Sequence, residues 1–189
     1  MVIGSGVAGK SAAMKLASAG KKVAIIEADL WGGTCPNRGC DPKKVLVSAV
    51  EAQNKARQMI GRGIHRAPAI NWPEPIAFKN TFTDPVPKQS RESLESSGVE
   101  TYSGAAEFVD RRTLKVGEAR LEADKIIIAT GAHPNLLPVK GQEHFLTSDN
   151  FLSRRKCPKQ SRFIGAGYIA FEFAAVAAAA GAEVHAHPA

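Results

Sequence analysis

The sequence has 189 residues, 44% hydrophobic and 23% charged, and its 25 basic and 18 acidic side chains give a formal net charge of +7. That is enough apolar material for a sizeable core, with room for one domain and part of another. No run approaches the roughly 18 apolar residues of a membrane span, and the start lacks a secretory signal, so neither membrane nor export is expected and the cytoplasm is the default location. The basic residues lie in short clusters such as Lys21-Lys22 and Arg154-Arg155-Lys156, with only 6% aromatics. They read as a solvated basic surface that helps attract anionic dinucleotides, not as a nucleic-acid interface.

Met1-Val2-Ile3 is a stub of apolar strand running into Gly4-Ser5-Gly6-Val7-Ala8-Gly9. A helix is expected over 11–19, ended by Gly20, then a second strand over 23–26 that stops at Glu27. Strand, glycine turn, helix, strand and acid form the context that a dinucleotide fingerprint requires. Gly4 permits the turn, Gly6 lets the backbone approach a pyrophosphate at the helix N-terminus, and Gly9 permits close packing of helix on strand. Glu27, 18 residues after Gly9, is placed to bond a ribose hydroxyl.

Next comes Gly32-Gly33-Thr34-Cys35-Pro36-Asn37-Arg38-Gly39-Cys40-Asp41-Pro42-Lys43-Lys44. Gly33 and Gly39 allow tight turns on either side, so Cys35 and Cys40 could approach within disulfide distance. A helix beginning near Cys40 would put its sulfur at the positive end of the helix dipole, with Lys43 one turn on, and both favour the anionic sulfur. Three readings stay open on these residues alone: a redox pair, inert thiols, or half of a zinc site. Zinc is the weakest, because Cys157 has no Cys or His companion at short spacing.

Residues 43–59 have helical composition, with Val45, Ala49, Ala52 and Ala56 near one face. Glycines and prolines mark 61–75 as a loop, and helical pieces follow over 76–82 and 88–97. Trp72, Phe78 and Phe82 read as core or packing aromatics. Short strands over 99–103, 107–109, 113–116, 119–122 and 126–128 suggest an antiparallel meander, the last strand being of buried type and running into Ala129-Thr130-Gly131. A second fingerprint arrives at Phe163-Ile164-Gly165-Ala166-Gly167-Tyr168-Ile169-Ala170, where Ala170 takes the third glycine's place. Its alanine-rich helix is expected to end near Gly181, before a strand starting at Glu183. The polar run 159–162 and the end His185-Ala186-His187-Pro188-Ala189 suit a buried strand poorly.

The cysteine segment resembles the redox-disulfide signature of the class I pyridine nucleotide-disulfide oxidoreductases, the flavoenzymes that include glutathione reductase, dihydrolipoamide dehydrogenase and mercuric reductase. The other landmarks follow in the family's order over almost the whole chain. The resemblance implies an α/β fold: a Rossmann-like FAD-binding domain with an antiparallel β-meander over 1–148, then the beginning of a second Rossmann-like NAD(P)-binding domain over 149–189. FAD would lie on Gly4, Gly6, Gly9, Glu27, Gly33, Thr34, Thr130 and Gly131, with Lys43 near the flavin edge. NAD(P)H would lie on Gly165 and Gly167, with Tyr168 gating the nicotinamide pocket.

Carried over by motif position, electrons would pass from NAD(P)H through flavin to a Cys35–Cys40 disulfide and on to a small-molecule disulfide or related substrate. Cys40 would face the flavin, Cys35 would attack the substrate, and Glu172 would pair with Lys43. Val7 and Met14 stand where glutathione reductases carry a peptide-contacting serine and arginine, which lowers glutathione as substrate. Arg38 and Asp41 are unusual charges inside the signature and could alter the disulfide's potential. Family members also carry a C-terminal interface domain whose His-Glu pair acts across a homodimer, and His185 and His187 lie in the wrong region to replace it. The short first strand and the missing interface domain lead to the expectation of an N-terminal piece of a longer, homodimeric enzyme. The alternative is a truncated, non-catalytic dinucleotide-binding module.

Overall fold

The computed structural model describes residues 1–188. In chain order its elements run β1 (Val2–Ile3), α1 (Val7–Ser18), β2 (Ala24–Glu27), α2 (Thr34–Arg38) and α3 (Cys40–Gln58). Then come α4 (Pro73–Thr83), α5 (Val86–Ser96), β3 (Glu100–Ser103), β4 (Ala106–Phe108), β5 (Thr113–Val116), β6 (Ala119–Glu122) and β7 (Ile127–Ile128). The last are α6 (Ser148–Ser153), β8 (Gln160–Ile164), α7 (Tyr168–Ala179) and β9 (Glu183–His187). The chain packs as two compact units, Met1–Asn37 with Asp84–Asn135, and Arg38–Thr83 with Leu136–Ala189.

In the first unit the parallel sheet β3-β2-β1-β7 forms around the β1-α1-β2 crossover. Strand alternation sends Ile25 to one face and Ile26 to the other, and both are buried. Ile25 packs with Val2, Ala13 of α1 and Leu94 of α5, while Ile26 packs with Leu114 and Val116 of β5. Each such side chain contributes about 1.5–3 kcal/mol by leaving water. The antiparallel sheet β4-β5-β6 therefore covers the face that the helices leave open.

The expected meander is shorter than its five strands. β3 pairs in parallel with β2, and β7 with β1, so both belong to the main sheet. β-propensity marks a strand but cannot name a partner some 70–125 residues away in sequence. Nor is β7 of buried type, since Ile128 is 64% exposed.

The second unit is built on Leu46, Val50, Trp72, Ile76, Phe151 and Phe173. Phe151 stacks on Phe173 at 4.5 Å and meets Trp72 edge-on at 5.6 Å, and the Trp72 indole N–H donates to the Arg154 carbonyl at 2.8 Å. α3 buries Pro42, Leu46, Val50 and Gln53, one position round from the expected alanine face, because the large aliphatics carry more burial energy than alanines. Trp72 is core as expected. Phe78 and Phe82 meet the packing alternative instead: they form an edge-to-face pair at 5.1 Å, and both are more than half exposed. β8 and β9 pair in parallel from Gln160↔Glu183 to Ile164↔His187, despite their polar sequences.

Candidate functional site

The candidate residues fall into two sets, one in each unit. In the first unit, α1 begins at Val7, directly after the middle glycine of the first fingerprint and four residues earlier than the helix pattern indicates. Gly4 sits at φ +97°, and its N–H donates to the Ile26 carbonyl at 2.8 Å, tying the turn to β2. A Cβ on Gly4 would collide with the Ala129 carbonyl, and one on Gly9 with the carbonyl of Gly4. Thr130, which follows β7, thus lies against the first turn, and Gly131 after it sits at φ +78°.

Gly6 is different. It is the N-cap of α1, with φ −63° and ψ −175°, a conformation open to any residue. A Cβ there would meet only the Gly33 Cα, at an ordinary 3.8 Å. No side chain caps the helix at this point. The chain's own packing gives little reason for a glycine, so the space is suited to a group approaching the free N–H groups of the first turn.

Two residues that motif reading passed over hold this region. Ser5 is fully buried. Its N–H and hydroxyl donate to one carboxylate oxygen of Glu27 at 2.8 and 2.6 Å, and its oxygen accepts from the Gly32 N–H at 3.0 Å. The other oxygen of Glu27 accepts from the Asp29 N–H at 2.9 Å. An ionised carboxylate has about four acceptor positions, so one remains for a ribose hydroxyl. Asn37, also buried, donates to the carbonyls of Trp31 and Gly33 at 3.0 and 2.8 Å and fixes the turn before Cys35. The only sequence signal for Asn37 was its place inside the cysteine segment.

That turn lies backbone to backbone with the fingerprint. Gly33, at φ +71°, would drive a Cβ into the Gly6 Cα. Gly32, at φ +96°, would put one 2.7 Å from the Ser90 hydroxyl. Thr34 opens α2, and half-buried Cys35 follows it. A cavity of about 430 Å³ opens beside Pro36, the residue after Cys35, lined also by Val7, Lys10 and Ser11 of α1 and by Gln89 and Ser90 of α5.

In the second unit, Cys40 is the first residue of α3 and is exposed, with Gly39 as N-cap at φ −128°. The expected helix-start position of Cys40 is therefore observed, although Gly39 needs no left-handed turn. One turn on, Lys43 Nζ donates to Glu172 Oε1 of α7 at 2.5 Å, the expected ion pair, with side chains 22% and 34% exposed. Arg38 lies 3.7 Å from the Asp149 carboxylate of α6, so this unusual cation has a local partner that sequence reading did not identify. Gly165 takes φ +101° and donates to the His187 carbonyl at 2.9 Å. Gly167 is the N-cap of α7 at φ −82°, and a Cβ on it would meet nothing within 4 Å. Tyr168, the first residue of α7, is 76% exposed. Cys157 packs with the core of this unit and its thiol is pushed up by burial, with nearby Arg154 opposing.

The comparison with known proteins fits this geometry. The family model of pyridine nucleotide-disulphide oxidoreductases matches residues 1–187. The chain belongs to that family. It is 39% identical to a glutathione reductase from Nostoc sp. over 97% of its own length and 40% of the relative's. It is 34% identical to dihydrolipoyl dehydrogenase 2 of Haloarcula marismortui, over 97% of this chain and 41% of that one. Among solved structures, the HOCl-induced flavoprotein disulfide reductase RclA from Escherichia coli superposes with a TM-score of 0.81 at 30% identity, covering 98% of this chain and 40% of the other. The chain thus spans about 40% of the length of these relatives. Their likeness accords with the α/β fold and its Rossmann-like first unit.

Proposed function

We propose that the chain acts in FAD-dependent NAD(P)H:disulfide oxidoreduction, taking electrons from NAD(P)H through flavin to Cys35 and Cys40 and on to a small-molecule disulfide or related substrate. The observation that carries this reading is the pair of middle glycines, Gly6 and Gly167. Each caps a helix with ordinary dihedrals and with room for a Cβ, so the side-chain-free surface is suited to a pyrophosphate. The backbone contact of Gly6 with Gly33 ties the first of these cradles to the turn that leads to Cys35.

FAD, when bound, supplies a two-electron carrier between nicotinamide and thiol pair. Gly4, Gly6 and Gly9 would shape its pyrophosphate turn, Glu27 would accept from its ribose, Gly33, Thr34, Thr130 and Gly131 would line its path, and Lys43, paired with Glu172, would provide a cation. Gly165, Gly167 and Tyr168 serve the pyridine nucleotide, with 1–148 as the FAD-binding part and 149–189 as the start of the NAD(P)-binding part. In the substrate step the Cys35 thiolate attacks one substrate sulfur, and the substrate's S–S bond breaks as the first thiol leaves with a proton. Cys40 then attacks the Cys35 sulfur, closing their disulfide and releasing the second thiol. The cavity beside Pro36 is where the substrate approaches. A cytoplasmic homodimer is the working form that the family suggests. Among the described residues no helix is long and apolar enough to cross a membrane.

The test loads the purified chain with FAD, removes the excess, adds NAD(P)H and counts reactive thiols. The reading expects one flavin per chain and two new thiols per flavin, with Cys35→Ser keeping the flavin and losing disulfide reduction. A colourless protein that takes up no FAD would favour a non-catalytic module instead.

A further inference from the structure

The two fingerprints are copies of one unit at a constant offset of 161 positions. That offset carries Gly4 onto Gly165, Gly6 onto Gly167, Gly9 onto Ala170 and Gly20 onto Gly181. The backbones agree: Gly4 and Gly165 have φ +97° and +101°, and Gly20 and Gly181 have +74° and +93°. Strand register agrees as well, since Val2↔Ile25 becomes Phe163↔Ala186 and Ile3↔Ile26 becomes Ile164↔His187. Even the bond from the first glycine recurs, Gly4 N–H to Ile26 at 2.8 Å and Gly165 N–H to His187 at 2.9 Å.

Two of the differences between the copies are linked. Glu27, the acid at the end of the second strand, maps onto Pro188, and Ser5, which donates to Glu27 through both N–H and hydroxyl, maps onto Ala166. The second copy has therefore lost both the carboxylate and the hydroxyl that orients it. A carboxylate here accepts from the 2′- and 3′-hydroxyls of an adenine ribose and repels a 2′-phosphate, whereas a proline ring does neither.

We propose that Pro188 makes the second fingerprint permissive for a 2′-phosphate, so that the chain takes NADPH at least as readily as NADH. This rests on the reading of that fingerprint as a pyridine-nucleotide site. The experiment titrates the full chain with NADPH and with NADH at one ionic strength, following tryptophan fluorescence or heat, and repeats both titrations on Pro188→Glu. The inference expects an NADPH dissociation constant equal to or below that for NADH, and a shift in the ratio toward NADH of about tenfold or more in Pro188→Glu. NADH binding about tenfold tighter than NADPH in the unaltered chain would overturn the inference alone, whether or not the variant folds. An unchanged ratio in a folded Pro188→Glu would do the same. If neither nucleotide binds, the site reading fails and the inference falls with it.

Discussion

Ser5 carries more of the first turn than its place between two glycines suggests. Its hydroxyl joins Glu27 of β2 to the Gly32 backbone with no water access. Ser5→Ala should cost about 1–3 kcal/mol in denaturant unfolding, because a buried N–H loses its acceptor. The Lys43–Glu172 pair is partly solvated, so Lys43→Met should change stability by no more than about 1 kcal/mol. The same variant should slow flavin reduction by NAD(P)H, and equal rates in stopped flow would remove Lys43 from the chemistry. Cys157 supplies a pH test. Burial raises its folded-state pKa, so its contribution is fully present below the ordinary thiol value and is lost as pH rises through the raised one. Cys157→Ser should flatten the alkaline fall in melting temperature.

At the scale of elements, α3 presents both Cys40 and Lys43, and its hold on the second unit is Leu46 and Val50. Leu46→Ala should cost about 2–5 kcal/mol in thermal or chemical unfolding, as for a fully buried leucine in a packed core. What could be read in the chain follows the range of the forces involved. β5 and β6 fall on the expected residues, since a local turn and alternation define them. α1 was legible except for its first turn, which the fingerprint's low-propensity glycine obscures. α2 was not expected, because five residues with a proline carry no helical period. The glycine turns and the two cysteines stand out for their residue types. Ser5 and Asn37 do not, since their roles depend on backbone groups that the fold brings to them.

For the whole molecule, the charge of +7 belongs to solution behaviour and not to the fold. Affinity for dinucleotides should fall severalfold as ionic strength rises from about 0.01 to 0.15 M, over which the screening length contracts to roughly 8 Å. Its absence would leave the basic surface without a part in binding. The account as a whole depends on glycines serving two separate purposes in one turn. Gly4 is demanded by φ +97° and by the Ala129 carbonyl, whereas Gly6 is demanded by neither dihedral nor neighbour. The most direct test is an FAD titration of the unaltered chain and of Gly6→Ala, with far-ultraviolet circular dichroism on both. The account predicts one FAD per unaltered chain, and a folded Gly6→Ala whose affinity for FAD is at least about tenfold weaker. A folded Gly6→Ala that binds FAD as tightly as the unaltered chain would contradict it.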